Sequence, residues 1–250
     1  MFIDVRSGFG SGGTITEDDS STQCHDFTST SGGSYTIVYD NSDMEIFGSA
    51  IFEAGTTFDE DSQAYTYFES DSNETITTGG AYIYWLTFDG DGSWTLQDDL
   101  SVDSYMMFYV GTVYANGYNV RSDEMDIYST IYMGSGNWTV IGGNDCWYVD
   151  EGAVIVPGTS TIIMDNTFLG SDEYQVFTGG EHTYYNIKLT GVRPTNHYFF
   201  INDSNTFNDF KICSPPQKVL FQSLTITTVT TFTARGEAGK YIVLNTEEGE

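Results

Sequence analysis

The stretch that decides the fold runs from Val154 to Gly191 and reads VIVPGTSTIIMDNTFLGSDEYQVFTGGEHTYYNIKLTG. Its apolar runs are only a few residues long, and each one ends near Gly, Asp, Asn or Ser. Short β-prone runs bounded by such residues are typical of strands joined by tight turns. We therefore expect a succession of short strands and almost no helix in this stretch.

An earlier part of the chain echoes these residues. Gly79–Gly90 matches Gly179–Gly191 with one insertion, so that the two Gly-Gly pairs lie 100 residues apart. Ala54–Thr57 precedes the first pair, as the similar Pro157–Ser160 precedes the second. Self-similarity of this kind is the sequence sign of a repeat architecture. The echo predicts two related β-rich units within residues 35–250.

The rest of the chain follows the same pattern. About twenty strand candidates between Tyr35 and Asn245 follow one another at the spacing typical of a sandwich, barrel or solenoid. The internal repeat favours a right-handed parallel β-solenoid with turns of about 20 residues, and a β-sandwich is the alternative. Residues 1–34 are rich in Gly, Ser, Thr and Asp, which predicts a lead-in or N-terminal cap.

The charge of the chain limits its partners. Its 250 residues include 36 Asp and Glu but only 8 Lys and Arg, which gives a net charge of −28. So negative a protein repels phosphate backbones and anionic membranes, so we expect no nucleic-acid binding. No apolar run is long enough to span a bilayer, so we expect no membrane insertion. The excess acid is interpreted mainly as a solvated acidic surface.

One glycine-rich turn carries the best candidate for a metal site. In Asp89-Gly90-Asp91-Gly92-Ser93, carboxylates alternate with glycines, and hard cations such as calcium favour such oxygen ligands. The turn is similar to the start of an EF-hand loop, but Leu100 occupies the twelfth position, where that loop needs a bidentate Glu. Asp89 and Asp91 are thus candidate calcium ligands, with an acidic hairpin turn as the competing interpretation. No other cofactor is expected.

Aromatic residues supply a second candidate site. Tyr82, Tyr84, Trp85, Tyr184 and Tyr185 would bind glycans if their rings were exposed, because sugar rings stack on aromatic faces. The competing interpretation is that these rings pack in ladders along the stack.

An adjacent pair of carboxylates, Asp98-Asp99, raises the question of catalysis. Glycosidase carboxylates must flank one sugar bond at a set separation. Adjacent strand residues point to opposite faces, so this pair is poorly placed to share a site. We therefore expect no enzyme, and a polysaccharide lyase or hydrolase on a β-helix is the alternative.

Several short motifs rich in Gly, Asn and Thr lie between residues 90 and 245. They are Ser93–Val102, Ala115–Val120, Gly136–Val140, Pro157–Ile162, Gly179–Ile187, Asn205–Ile212 and Gly236–Ile242. Together they resemble repetitive parallel β-solenoid modules of phage tail and fibre proteins and of bacterial surface adhesins. The resemblance implies a scaffold without a catalytic signature. This chain departs from the family pattern in its many Asp, Glu and Tyr residues.

The resemblance and the repeat together give the expected function. It is a non-enzymatic structural or adhesive module, such as a stalk, fibre or adhesin segment, in an extracellular location on a virion or cell surface. Expected partners are a glycan or host receptor, and further copies or domains in a larger surface assembly.

Overall fold

The computed structural model describes residues 13–17, 21–28, 35–39, 43–58, 65–167, 174–191, 198–215 and 217–246. Within these ranges the chain forms strands and no helix, which confirms the all-β prediction. The strands are β1 (Gly13–Glu17), β2 (Ser21–Cys24), β3 (Phe27–Thr28), β4 (Tyr35–Tyr39), β5 (Asp43–Ile46), β6 (Ala50–Ile51), β7 (Thr56–Phe58), β8 (Tyr65–Phe68), β9 (Asn73–Thr77), β10 (Tyr82–Leu96), β11 (Leu100–Tyr114), β12 (Val120–Ser122), β13 (Glu124–Ile127), β14 (Thr130–Tyr132), β15 (Asn137–Val140), β16 (Asn144–Val149), β17 (Val154–Val156), β18 (Thr161–Asp165), β19 (Gln175–Thr178), β20 (Thr183–Thr190), β21 (Phe199–Asn202), β22 (Thr206–Ile212), β23 (Gln217–Phe221), β24 (Thr228–Ala234) and β25 (Ile242–Thr246).

The strands stack as the coils of a parallel β-solenoid of about 9 turns. Each strand pairs in parallel with the strand one coil away, as β13 does with β11 and with β16. This pairing confirms the solenoid and excludes the sandwich of facing sheets. The right-handed sense of the coil stays a prediction.

The coils wrap around three faces, which we call A, B and C in chain order. In the middle of the stack, β12 lies on face A, β13 on face B and β14 on face C. The long strands β10 and β11 each bend through all three faces. Towards the C-terminus, β20 pairs with β18 on face A and also contacts β17 on face C, so it runs across the corner between these faces.

Coil length varies along the stack. Residues that pair from coil to coil are 18 apart between Val120 and Trp138, and 25 apart between Ile162 and Ile187. The predicted turn of about 20 residues lies in this range. The echoing pairs Gly79-Gly80 and Gly179-Gly180 lie at different corners, because the first precedes face A and the second follows strand β19 of face B. The echo thus does not align equivalent positions, and the two related units stay a prediction.

The core is a column of side chains that repeat from coil to coil. Phe68, Phe88 and Phe108 stack in succession on face B, with ring centroids 5.6 and 5.2 Å apart. All three are fully buried. Because parallel in-register strands place equivalent residues about 4.8 Å apart, one inward aromatic per coil builds a continuous stack.

Pairing of the coils begins within the predicted lead-in. Strands β1, β2 and β3 lie before residue 35, and they pair in parallel with β4, β5 and β6. These strands thus already belong to the stack. The boundary between residues 34 and 35 stays a prediction, since residues 1–12, 18–20 and 29–34 lie outside the described ranges.

Candidate functional site

The Asp89–Ser93 turn forms the corner between faces B and C of one coil. Gly92 N–H donates to Ser70 O and Ser93 N–H donates to Ser72 O, both at 2.9 Å. A Cβ at Gly92 would collide with the Ser72 carbonyl of the coil below. The glycines are therefore explained by close stacking of the backbone.

The calcium interpretation gains little from this geometry. Within the described ranges, no group of three or more His, Cys, Asp or Glu side chains is placed to hold a metal ion. Calcium takes about six to eight oxygen ligands, and Asp89 and Asp91 supply carboxylates from one strand only. The two residues stay predicted ligands, and their arrangement fits an acidic corner better than a calcium cage.

Asp98 and Asp99 hold neighbouring coils together at the corner before face A. The Asp98 carboxylate accepts hydrogen bonds from Thr78 N–H and Gly79 N–H, both at 2.7 Å. The Asp99 carboxylate accepts from the backbone and side-chain N–H groups of Asn119, at 2.8 and 2.9 Å. One carboxylate thus binds the coil below and the other binds the coil above, which is a structural arrangement.

The predicted glycan-binding aromatics do not converge on one surface. Tyr184 is fully buried, and its hydroxyl donates to Gly179 O at 2.7 Å. The prediction for Tyr184 was therefore wrong, because a buried ring cannot stack on a sugar. Tyr185 is exposed but lies five coils along the stack from Tyr82, roughly 24 Å away at the usual strand spacing.

Trp85 packs within a ladder of outward aromatics on face B. Its ring lies between Tyr65, at 4.3 Å between centroids, and Tyr105, at 5.9 Å. Tyr84 lies against the same indole at 6.2 Å. These contacts match the ladder interpretation, and they leave Trp85 and Tyr84 only partly exposed.

Tyr82 is the predicted aromatic with the most open surroundings. Its side chain is 51% exposed, and it borders a surface groove of about 480 Å³ on face A. We call this feature the Tyr82 groove. It is lined by Gly55, Thr56, Thr57, Phe58, Gly80, Tyr82 and Asp103.

Three successive coils build the Tyr82 groove. Strand β7 lines it with Thr56, Thr57 and Phe58, the start of β10 contributes Tyr82, and β11 contributes Asp103. The Arg121 guanidinium lies over one face of the Tyr82 ring, 5.9 Å from its centroid, and its Nη1 lies 3.9 Å from Asp103 Oδ1. An aromatic face beside a carboxylate and a guanidinium offers a stacking surface, an acceptor and a donor, which suits a sugar.

Face B carries a group of acids and tyrosines that sequence reasoning missed. We call it the acidic strip: Tyr105, Glu124, Asp126, Tyr128 and Asp145. Tyr105 pairs with Glu124 in the next coil, and its hydroxyl donates to Asp126 Oδ2 at 2.7 Å. The alternation Glu124-Met125-Asp126-Ile127 was the available signal, since it places two acids on the outer side of one strand.

Two carboxyl groups of the acidic strip, those of Glu124 and Asp126, have raised pKa values. Burial, together with the nearby charges of Asp126, Asp145 and Asp123, raises the pKa of Glu124 to about 7. Burial also raises the pKa of Asp126, although the Tyr105 hydroxyl opposes this shift by stabilising the carboxylate. A carboxyl group with a pKa near neutrality can donate or accept a proton at physiological pH.

Burial lowers the reactivity of one of the three cysteines, Cys146. Cys24, Cys146 and Cys213 all lie in the described ranges and form no disulfide there, and the first two are buried. Burial raises the pKa of the Cys146 thiol, which disfavours the nucleophilic thiolate.

Comparisons with family models, curated proteins and solved structures give no match to this chain. The strand pairings alone therefore define the fold. In the part of the chain that the structure describes, no helix is long and apolar enough to cross a membrane.

Proposed function

We propose that this chain is a non-enzymatic scaffold or adhesive module, a stalk, fibre or adhesin segment on a virion or cell surface. The observation that carries the proposal is the use of the corner acids. The Asp98 and Asp99 carboxylates accept hydrogen bonds from N–H groups of the two adjacent coils. Carboxylates that would act as acids or bases in an enzyme hold neighbouring coils together here.

The Tyr82 groove supplies the ligand contact of this module. The proposed ligand is a glycan of a receptor, stacked on Tyr82, with hydroxyls hydrogen-bonded to Asp103 and Arg121. Cationic or neutral glycans are favoured, because a body of net charge −28 repels polyanions.

A glycan array with the purified chain tests this contact. We expect binding that falls at least tenfold in Tyr82→Ala and persists in Tyr109→Ala. Tyr109 is a matched control, since it is 52% exposed on another part of the surface. Equal binding by both variants would refute the role of the Tyr82 groove.

The acidic strip favours a second function, that of a carbohydrate-active hydrolase. Glu124 and Asp126 lie two residues apart on one strand, so their Cβ atoms are about 7 Å apart, near the separation used by inverting glycosidases. With its pKa near 7, Glu124 would be the general acid and Asp126 the base.

The release of reducing sugars from neutral and acidic polysaccharides distinguishes the two functions. The scaffold predicts no turnover by the wild-type chain. The hydrolase predicts turnover that Glu124→Gln abolishes, with a pH profile that falls above pH 7.

A further inference from the structure

The C-terminal end of the stack leaves its core uncovered. Phe232 pairs with Phe210, and Leu244 pairs with Val219, so both continue columns of inward side chains. Phe210 and Val219 are fully buried, whereas Phe232 is 46% exposed and Leu244 is 47% exposed. The same positions that the next coil covers elsewhere are therefore open here.

The backbone at this end is also open. Strand β24 pairs with β22, β25 pairs with β23, and neither pairs with another named strand on its outer edge in the described ranges. Leu224, Ile226, Tyr241 and Val243 add exposed apolar surface around these edges. Unpaired edges beside apolar side chains form a template for another chain.

The N-terminal end also has strands that pair on one side only within the described ranges, β1, β2 and β3, but it differs in its core and in its charge. The inward residues Cys24 and Phe27 of the first described coil are buried. Residues 13–58 carry eight acids and no Lys or Arg, whereas residues 217–250 carry three basic and four acidic residues. The C-terminal end is thus nearly neutral in a chain of net charge −28, so two copies meet there with least repulsion.

We propose that two copies of this chain join end to end through their C-terminal coils, with β24 and β25 of each copy against those of the other. The contact is isologous, so each copy covers the Phe232 and Leu244 surface of its partner and the assembly closes at two. It also keeps the two acidic bodies far apart. This inference goes beyond the proposed scaffold role and holds whichever ligand the lateral faces bind.

Light scattering after size exclusion, with small-angle X-ray scattering, tests the proposal between about 5 and 200 μM protein. The wild-type chain should have twice the monomer mass of 27.7 kDa. One stack of about 9 turns is about 43 Å long at the usual coil spacing, so an end-to-end pair should add roughly that length again. Leu244→Lys should weaken the pairing at least tenfold.

Val154→Lys is the matched control, because Val154 is 51% exposed on face C away from the open end. It should remain a pair, and circular dichroism should show that both variants keep the fold. A monomer throughout the concentration range would overturn the proposal. So would open-ended polymers, a side-by-side pair without the added length, or equal pairing of the two Lys variants.

Discussion

Removing the Asp98 carboxylate should weaken the stack at one corner. In Asp98→Ala, the N–H groups of Thr78 and Gly79 lose an acceptor that now lies 2.7 Å from each. A hydrogen bond to a charged group contributes about 1.5–3 kcal/mol, and partial solvent access lowers that value. Two such bonds at a half-buried corner give an expected loss of about 3 kcal/mol in the free energy of unfolding.

Asp98→Asn refines the expectation. The amide oxygen can still accept one hydrogen bond, but the amide NH₂ group would face the second backbone donor. We therefore expect a loss of at least about half that of Asp98→Ala. Asp91→Ala is the control, because Asp91 is exposed on the same strand β10 and should cost no more than about 0.5 kcal/mol.

Urea denaturation followed by circular dichroism measures these differences at one temperature and pH. The structural role predicts a lower midpoint for both Asp98 variants and an unchanged midpoint for Asp91→Ala. A catalytic role predicts the reverse pattern, with full stability and lost turnover on a polysaccharide. If Asp98→Ala and Asp91→Ala unfold at the same urea concentration, the account of this corner is wrong.

Three other predictions concern proton binding, the core and a corner. Because the pKa of Glu124 is raised in the folded chain, its contribution to the free energy of unfolding is fully present below pH 4.5 and is lost as the pH rises through about 7. Glu124→Gln should therefore raise the free energy of unfolding at pH 8 by about 1 kcal/mol, after allowance for solvent screening, and leave it unchanged near pH 4. Phe108→Ala should cost about 3–5 kcal/mol in urea denaturation, because its ring is fully buried in the aromatic column. Gly134→Ala should lower the free energy of unfolding by at least about 2 kcal/mol more than Gly80→Ala does. Both glycines have positive φ, but only at Gly134 would a Cβ lie 2.5 Å from Gly117 N. Equal thermal midpoints of the two variants would contradict this.

The class of fold could be predicted because it depends on local signals. Short apolar runs, turn residues and the lack of helical periodicity all recur along the chain, and the structure has strands in those places. The coil itself could not be found by period, because equivalent residues are separated by 18 residues at Val120 and by 25 at Ile162. The corners differ in length from coil to coil, so the sequence lacks the fixed spacing that a repeat search requires.

The side that each aromatic faces could not be predicted locally. Tyr184 and Tyr185 are adjacent on a strand, so one must point inward and the other outward. The amino-acid sequence alone does not show which of the two is buried. The register decides it, because Tyr184 pairs with the buried Phe207, at 5.7 Å between ring centroids. The Tyr82 groove depends on register in the same way, since its lining comes from three coils.

The corners also change the meaning of the acidic composition. A corner interrupts the ladder between coils and leaves backbone N–H groups that need acceptors. Asp26 accepts from Ser49 N–H at 3.0 Å, Asp203 accepts from Gly180 N–H at 2.9 Å, and Asp98 and Asp99 do the same at another corner. A carboxylate suits this task because it has acceptor sites only. Some of the acidic residues behind the net charge of −28 therefore hold neighbouring coils together. Neutralising these carboxylates should destabilise the stack, whereas neutralising an exposed carboxylate such as that of Asp91 should not.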